Sequence, residues 1–339
     1  MTLKPALAIT MGDVNGVGPE ILAKALQRRD VWDVCRPVIF GGVDAYADAR
    51  RWAPDAPSPV LVKDVRSAPY SPHTIGIIEA DCPAPPLRIG RVEGDAGACA
   101  VAWLKSAVSL ALLGDVDAIV TCPISKEGIR LGGCPYNGHT DLIADMTHSP
   151  DYRMCLFTDS MRIVHISSHF SLRDALALVK QNRIARTIRI GHDALVRLEL
   201  PRRRIAVAGL NPHAGEAGIL GREEIEEIRP AIEACAAQGI NCDGPYPPDT
   251  VFRRMHEGEF DMVIGMYHDQ GHIPLKLIAM DEGVNVTLGI PIVRTSVDHG
   301  TAYDIAGTGR AREASLLAAI RLAAQFTACR PAQDGRNTA

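Results

Sequence analysis

Short apolar runs of strand length alternate with helix-length segments along nearly the whole chain, and that alternation leaves very few architectures open. ALAIT is followed by PEILAKALQRR; RPVIFGG and DAIVTC flank the long AGACAVAWLKSAVSLALL; RIAVAGL, EEIEEIRPAIEACAAQ and DMVIGMY continue the pattern. Aliphatic and β-branched runs that end in turn residues read as buried strands. Strands separated by helices are joined by crossovers, which build a largely parallel sheet with helices on both faces. The expected fold class is therefore α/β. A chain of 339 residues with 47% apolar content has ample material for two ordinary domains or one large α/β unit. EASLLAAIRLAAQFTA, from Glu313 to Ala328, reads as a helix that packs back on the amino-terminal half. A discontinuous first domain is expected on that ground, 1–125 with 300–339, and a second domain over 126–299. The Pro/Ala-rich stretches Ala53 to Pro59 and Asp81 to Pro86 read as solvated connections, and the polar tail after Pro331 as frayed.

The charge balance narrows the partner. With 36 basic and 40 acidic residues the net charge is −4, which supplies no basic footprint for nucleic acid or an anionic membrane. A small molecule is the expected ligand. The first residues carry too short an apolar stretch for a secretory signal, and the best apolar run, Val108 to Leu113, is broken by Gly114 and Asp115, so a cytoplasmic location is expected. Nine cysteines without a CxxC spacing read as reduced thiols of small core residues. Cys122, in the turn after a strand, is the one cysteine placed where a site role is worth testing.

Three histidines follow apolar runs: His169 after RIVHISS, His213 after RIAVAGLNP and His268 after DMVIGMY. Ligands of open α/β sheets lie beyond the carboxyl ends of the strands. Three neutral imidazoles gathered there would bind a divalent ion and leave positions open for water or substrate. Three unrelated loop histidines, among eleven in the chain, is the plainer alternative.

Other polar residues cluster in three places. Gly12, Gly16 and Gly18, with Pro19 opening a helix, suit a turn that approaches an anion or cofactor, although G-x-x-x-G-x-G is not the dinucleotide fingerprint and a plain tight turn explains it as well. In NGHTDLIAD, His139 and Thr140 precede a helical run, a setting for a phosphate or simply for capping by Thr140. Lys276, Asn285 and Arg294 recur at nine-residue intervals around apolar runs and suit a doubly charged phosphate and a carboxylate. His272 lies four residues after His268, but Gly271 and Pro274 argue against a helix there, so His272 reads as a supporting or structural residue.

Taken together, ITMGDVNGVGPE, TCPISKEG, GHTDLIA, SSHFSLRDA, GLNPHAGE, PPDTVF, MYHDQGHIPLK and VNVTLGIPIVRTSVDHGTAYDIAGTG resemble the 4-hydroxythreonine-4-phosphate dehydrogenase (PdxA-type) family of β-decarboxylating dehydrogenases, in order over nearly the whole chain. The resemblance implies two α/β/α domains with a cleft between them, as in isocitrate and isopropylmalate dehydrogenases, the second carrying the metal ligands and a dimer interface. It implies one divalent metal per subunit (Zn, Co, Mg or Mn) on His169, His213 and His268, at a site shared across a homodimer, with Asp249 nearby. It places a small phosphorylated substrate on His139, Thr140, Lys276, Asn285 and Arg294. HGTAYDIAG resembles a cofactor loop, which assigns His299, Gly300 and Asp304 to NAD or NADP. Lys276 and Asp249 are the candidates for moving the hydroxyl proton.

The expected reaction is oxidation of a 4-phosphorylated four-carbon hydroxy acid followed by β-decarboxylation. THSPDYRMCLFTDSMRIVHISSH and YHDQGHIPLKL look closer to the catabolic relatives that oxidise 4-phospho-D-threonate or 4-phospho-D-erythronate than to the vitamin B6 biosynthetic enzyme. The alternatives are a dehydrogenase of an unphosphorylated cis-dihydrodiol carboxylate, a metal-dependent phosphatase or aldolase, and a non-catalytic ligand-binding relative. Retention of Gly138, His139 and Thr140 favours a phosphate.

Overall fold

The computed structural model describes residues 4–280 and 282–328, so the polar tail after Pro331 lies outside the described residues. Along the chain the strands are β1 Ala6–Thr10, β2 Arg36–Phe40, β3 Ser58–Leu61, β4 Tyr70–Ser71, β5 Thr74–Ile78, β6 Ala118–Thr121, β7 Arg153–Phe157, β8 Arg162–His165, β9 Ile205–Ala208, β10 Cys242–Tyr246, β11 Met262–Gly265, β12 Val284–Leu288 and β13 Val293–Val297. They belong to two compact units, one of residues up to Pro150 with those from Ile290 on, the other Asp151–Gly289. The α/β class expected from the alternation is what the chain forms. The sequence placed the divisions at 125 and 299; the compact units divide at Pro150 and Ile290.

In the first unit the strand order is β13-β6-β1-β2-β5-β3, every neighbour parallel, with the short β4 antiparallel to β5. β1 is buried at every position, as expected of a strand covered on both faces. The helix Gly94–Leu113 places Ala96, Ala100, Trp103, Leu104, Ala107 and Val108 inward at helical spacing and ends at Gly114, whose φ of +78° is the left-handed stop a glycine supplies without strain. It is long and apolar enough to cross a membrane, and half of that apolar window is buried in the fold. Trp103 is fully buried because its indole N–H donates to the carbonyls of Glu79 at 2.9 Å and Cys82 at 3.0 Å. The helix Ala314–Ala328 packs on β13 and β6, and Thr295 donates to the Ala319 carbonyl at 2.9 Å. The stretch Ala53 to Pro59 is less solvated than its composition suggests. Ala53 and Ala56 are buried, and Ser58 and Pro59 begin β3, an edge position where a proline costs no sheet hydrogen bond.

In the second unit the order is β10-β9-β11-β8-β7-β12. β10, β9, β11 and β8 run parallel, whereas β7 is antiparallel to both β8 and β12. Val263 pairs in register with Ile163 on one side and Ala206 on the other, and this fully buried row meets Phe252, Met255 and Leu275 in the core.

One sequence expectation fails here. His268–Ala279 is a helix despite Gly271 and Pro274, so His268 and His272 do share a helical face. A proline inside a helix costs roughly 3 kcal/mol, but propensity is overridden where packing demands the helix. Gly271 shows the demand: a Cβ there would lie 2.5 Å from His165 Nε2 and 2.6 Å from Ile163 Cγ2, so only glycine lets this helix lie against β8.

Candidate active site

In the first unit the strand order turns back between β6 and β1, and the carboxyl ends of two such strands are where open α/β sheets take ligands. The turn after β1 is locked onto the end of β6. Gly12 has φ +71°, and a Cβ there would lie 2.1 Å from the Pro123 carbonyl oxygen, so the glycine is required by a close backbone approach. Asp13, with no exposed surface, accepts the Tyr303 hydroxyl at 2.6 Å and the Asn15 amide at 2.9 Å. Burial raises its pKa above the ordinary 3.8 even against those two bonds, and burial followed by the hydrogen bond to Asp13 lifts the Tyr303 phenol to about 12.

The same turn and the helix Gly18–Leu26 hold the loop that follows β13. The Val17 amide donates to Thr301 O at 2.9 Å, Ala311 N donates to Glu20 Oε1 at 2.9 Å, and Lys24 Nζ donates to Gly309 O and Ala311 O at 2.7 Å. The predicted cofactor residues His299, Gly300 and Asp304 are exposed on this loop. The residues that anchor it, Asp13, Glu20, Lys24 and Tyr303, were not anticipated from sequence. Cys122 is buried and its thiol is pushed well up by that burial, so it is a packing residue rather than a reactive one.

Arg294 on β13 is 3% exposed and donates from Nη2 to the Thr121 hydroxyl on β6 at 2.8 Å. Burial lowers the guanidinium from its ordinary 12.5 to about 10. His139 opens the helix His139–Met146; Gly138 precedes it without a side-chain cap, and Thr140 lies inside the first turn rather than at the cap. Burial first, and then the positive charge of Arg294, push His139 well below 6.5, and its buried Nε2 has no hydrogen-bond partner. A neutral imidazole, a guanidinium and a helix amino terminus are donor types that suit a dianionic oxygen cluster.

In the second unit the three histidines of the sequence reading do follow three adjacent strands: His169 after β8, His268 after β11 and His213 after β9. His169 and His213 are exposed and His268 is half-buried. The His169 and His268 ring centroids are 5.8 Å apart. His268 stacks on His272 at 3.5 Å, and His272 lies 4.8 Å from His165. His165, inside β8 and fully buried, was not anticipated; burial, then His272 and His268, hold its pKa down at about 3. His213 begins five consecutive left-handed residues, with φ from 42° to 78° through Ala217. Each of the four that are not glycine costs roughly 1–2 kcal/mol in that conformation.

Among the described residues of one chain, no three His, Cys, Asp or Glu side chains are grouped as a metal centre. The donor chemistry nevertheless suits a divalent ion. His268 Nδ1 lies 2.7 Å from Asp269 Oδ1, and a ring whose Nδ1–H faces a carboxylate presents the Nε2 lone pair to a cation. Asp249 is exposed in the first turn of the helix Pro248–His256, and Lys276 is exposed on the helix that His268 opens. Asn285 on β12 keeps a buried Oδ1 that has no hydrogen-bond partner.

Comparison with known proteins decides the family. Residues 33–323 match the family described as "Pyridoxal phosphate biosynthetic protein PdxA". The chain belongs to the PdxA family. It is 45% identical over 325 residues to the D-threonate 4-phosphate dehydrogenase of Salmonella typhimurium, covering 94% of this chain and 98% of that one. The crystal structure of a 4-hydroxythreonine-4-phosphate dehydrogenase from Klebsiella pneumoniae superposes with a TM-score of 0.86 at 43% identity, over 96% of this chain and 100% of the other. A terephthalate 1,2-cis-dihydrodiol dehydrogenase from Burkholderia xenovorans is more distant, with a TM-score of 0.68 and 31% identity over 95% and 98% of the two chains.

Proposed function

We propose that this PdxA-family chain is a cytoplasmic, NAD(P)-dependent dehydrogenase of a 4-phosphorylated four-carbon hydroxy acid, either 4-hydroxythreonine 4-phosphate or 4-phospho-D-threonate or -erythronate, and that decarboxylation follows oxidation. The observation that carries the reading is the grouping of Arg294, Thr121 and His139, whose guanidinium, hydroxyl and imidazole beside a helix amino terminus suit the several oxygens of a phosphate dianion. The names of the more similar relatives, all dehydrogenases of phosphorylated hydroxy acids, support it.

In this reading His139, Thr140 and Arg294 bind the phosphate, while Lys276 and Asn285 orient the remainder of the acid. Lys276 or Asp249 takes the hydroxyl proton, and the loop bearing His299, Gly300 and Asp304 would hold the nicotinamide cofactor, which would supply the hydride acceptor. The product of that step is a β-keto acid; loss of CO₂ leaves an enolate that then takes up a proton. His169, His213 and His268 would hold a divalent ion (Zn, Co, Mg or Mn), whose positive charge polarises the alcohol and offsets the enolate charge.

The same reading makes the enzyme a homodimer that shares the metal between subunits. One feature supports this: exposed apolar residues stand near the histidines in sequence, among them Phe170, Leu172, Ile219, Leu220, Ile273 and Leu277. Such an apolar concentration on one unit marks an interaction surface.

The test is appearance of reduced nicotinamide and CO₂ from each phosphorylated acid and its dephosphorylated form, with NAD and with NADP. Turnover of the phosphorylated acids alone is expected. Equal turnover of the unphosphorylated acids removes the phosphate receptor from the argument and makes a dihydrodiol carboxylate the better substrate.

A further inference from the structure

Two buried side chains brace the turns that carry His213 and His268. Glu224 is 2% exposed and is surrounded by donors: Oε1 accepts the Leu210 amide at 2.8 Å and the Asn211 amide at 2.7 Å, and Oε2 accepts Asn211 Nδ2 at 2.9 Å. It opens the wide helical turn Glu224–Ile228, a local form found often at functional positions. The fit is close enough to dictate glycines. A Cβ on Gly215 would lie 2.6 Å from Glu224 Oε2, and one on Gly209 would lie 2.9 Å from Ala214 Cα.

Gln270 completes the brace from the other side. Its Oε1 accepts the Met266 amide at 2.7 Å, and its Nε2 donates to Gly209 O at 2.8 Å. One buried amide therefore ties the exit of β11, just before His268, to the exit of β9, just before His213. Each side chain has the chemical type its partners require. The carboxylate meets only donors, and the amide meets one donor and one acceptor.

L-residues do not hold a five-residue left-handed run unless the surroundings over-determine it, and strain of this kind persists where a precise side-chain position is needed. We propose that Glu224 and Gln270 are positioning residues that hold His213 and His268 in place for the divalent ion. The proposal rests on the metal assignment above and goes beyond it, since neither residue is a ligand. A purely structural staple would change stability without changing affinity for the ion.

The experiment uses two shape-conserving variants that reverse one polarity each. Glu224→Gln places an NH₂ group against donors, and Gln270→Glu places a carboxylate oxygen against the Gly209 carbonyl. Zinc affinity of the full-length protein is read by competition with a chromophoric chelator, beside amide hydrogen exchange at Leu210 and Asn211 and the thermal midpoint without zinc. Zinc binding is expected to weaken roughly tenfold to a hundredfold, the range typical of groups that orient metal ligands, with cooperative unfolding retained. Exchange at Leu210 and Asn211 should also quicken in Glu224→Gln. Zinc affinity within twofold of the parent in both variants overturns the proposal, whatever happens to the thermal midpoint. If Glu224→Gln does not fold, Asn211→Ala, which removes the Nδ2 bonds to Glu223 and Glu224 and leaves the two backbone bonds, serves in its place; a smaller loss of affinity supports the brace and none overturns it. A parent protein that binds none of zinc, cobalt, magnesium and manganese overturns the metal assignment and the proposal with it, and this is visible before any variant is made; if it binds one of the other three, that ion takes the place of zinc in the competition.

Discussion

The polar group around Arg294 in the first unit and the histidine group of the second differ in burial and in backbone strain. Asp13, Thr121 and Arg294 are buried and, with the half-buried Tyr303, make hydrogen bonds of 2.6–2.9 Å, while the buried Nε2 of His139 has no partner among the described residues. Around His169, His213 and His268 the side chains are exposed or half-buried, two rings are adjacent, and the third stands on a left-handed turn. A receptor for an anion is assembled from strands that also form the core, so folding pays for its order. In the proposed reading, a metal centre drawn from loops would be finished only when the ion and a second copy arrive, and the left-handed turn at His213 would carry its strain until then.

That contrast is broken most directly by removing ligands. His213→Ala and His268→Ala should each lose bound metal and all measurable turnover with little change in folding, because both side chains project from strand exits. Mixing and refolding the two dead proteins should restore activity if subunits share ligands, to about a quarter of the parent's for random pairing in a symmetric dimer. No recovery from verified mixed dimers, or full activity in a monomer, ends the shared-site reading.

The pre-formed receptor is sharpened by smaller changes. Arg294→Lys should reduce kcat/KM by about tenfold or more, since a point charge cannot reproduce two parallel bonds to a phosphate. Phosphorylated and dephosphorylated substrates should then become more alike; an unchanged ratio removes Arg294 from the phosphate. Tyr303→Phe deletes one hydrogen bond to a buried carboxyl group, an effect of about 1 kcal/mol, or roughly fivefold. It is expected in the KM for the nicotinamide cofactor, because Tyr303 anchors the loop that bears His299 and Asp304. A change confined to the acid substrate's KM would assign that loop elsewhere.

The smallest effect is on pH dependence. Burial and Arg294 depress the pKa of His139 below 6.5, so the unfolded chain takes up this proton before the folded one does. The contribution of neutral His139 is complete above about 6.5 and is lost as pH falls towards the folded value. His139→Gln should therefore show a shallower loss of stability over that acid range in denaturant titrations. An identical slope would mean that His139 is solvated in the folded protein.

Much of this was legible in the residues. Apolar runs bounded by turn residues gave the α/β class, because a strand covered on both faces needs continuous apolar sequence. The strand-exit positions of His169, His213 and His268 followed from the same pattern, and the quoted motifs carried the family. Asp13 and Tyr303 are separated by nearly the whole chain, and Glu224 reads as one acidic residue in an acidic helix, so no local pattern marks any of them as an anchor. His165 is hidden by its place within a strand of apolar neighbours.

Sequence periodicity by itself determined which segments become strands and helices and which ends carry polar residues, because those choices depend on neighbours a few positions away. It misread Gly271 and Pro274 as breakers of a helix, since intrinsic propensity is local and the packing of that helix against His165 and Ile163 is not. Only the tertiary structure decided that β8, β11 and β9 lie side by side, that Arg294 meets Thr121, and that Glu224 reaches back to Asn211. Those contacts join residues far apart in the chain, and their energies come from burial and hydrogen bonding in three dimensions rather than from any short run of sequence.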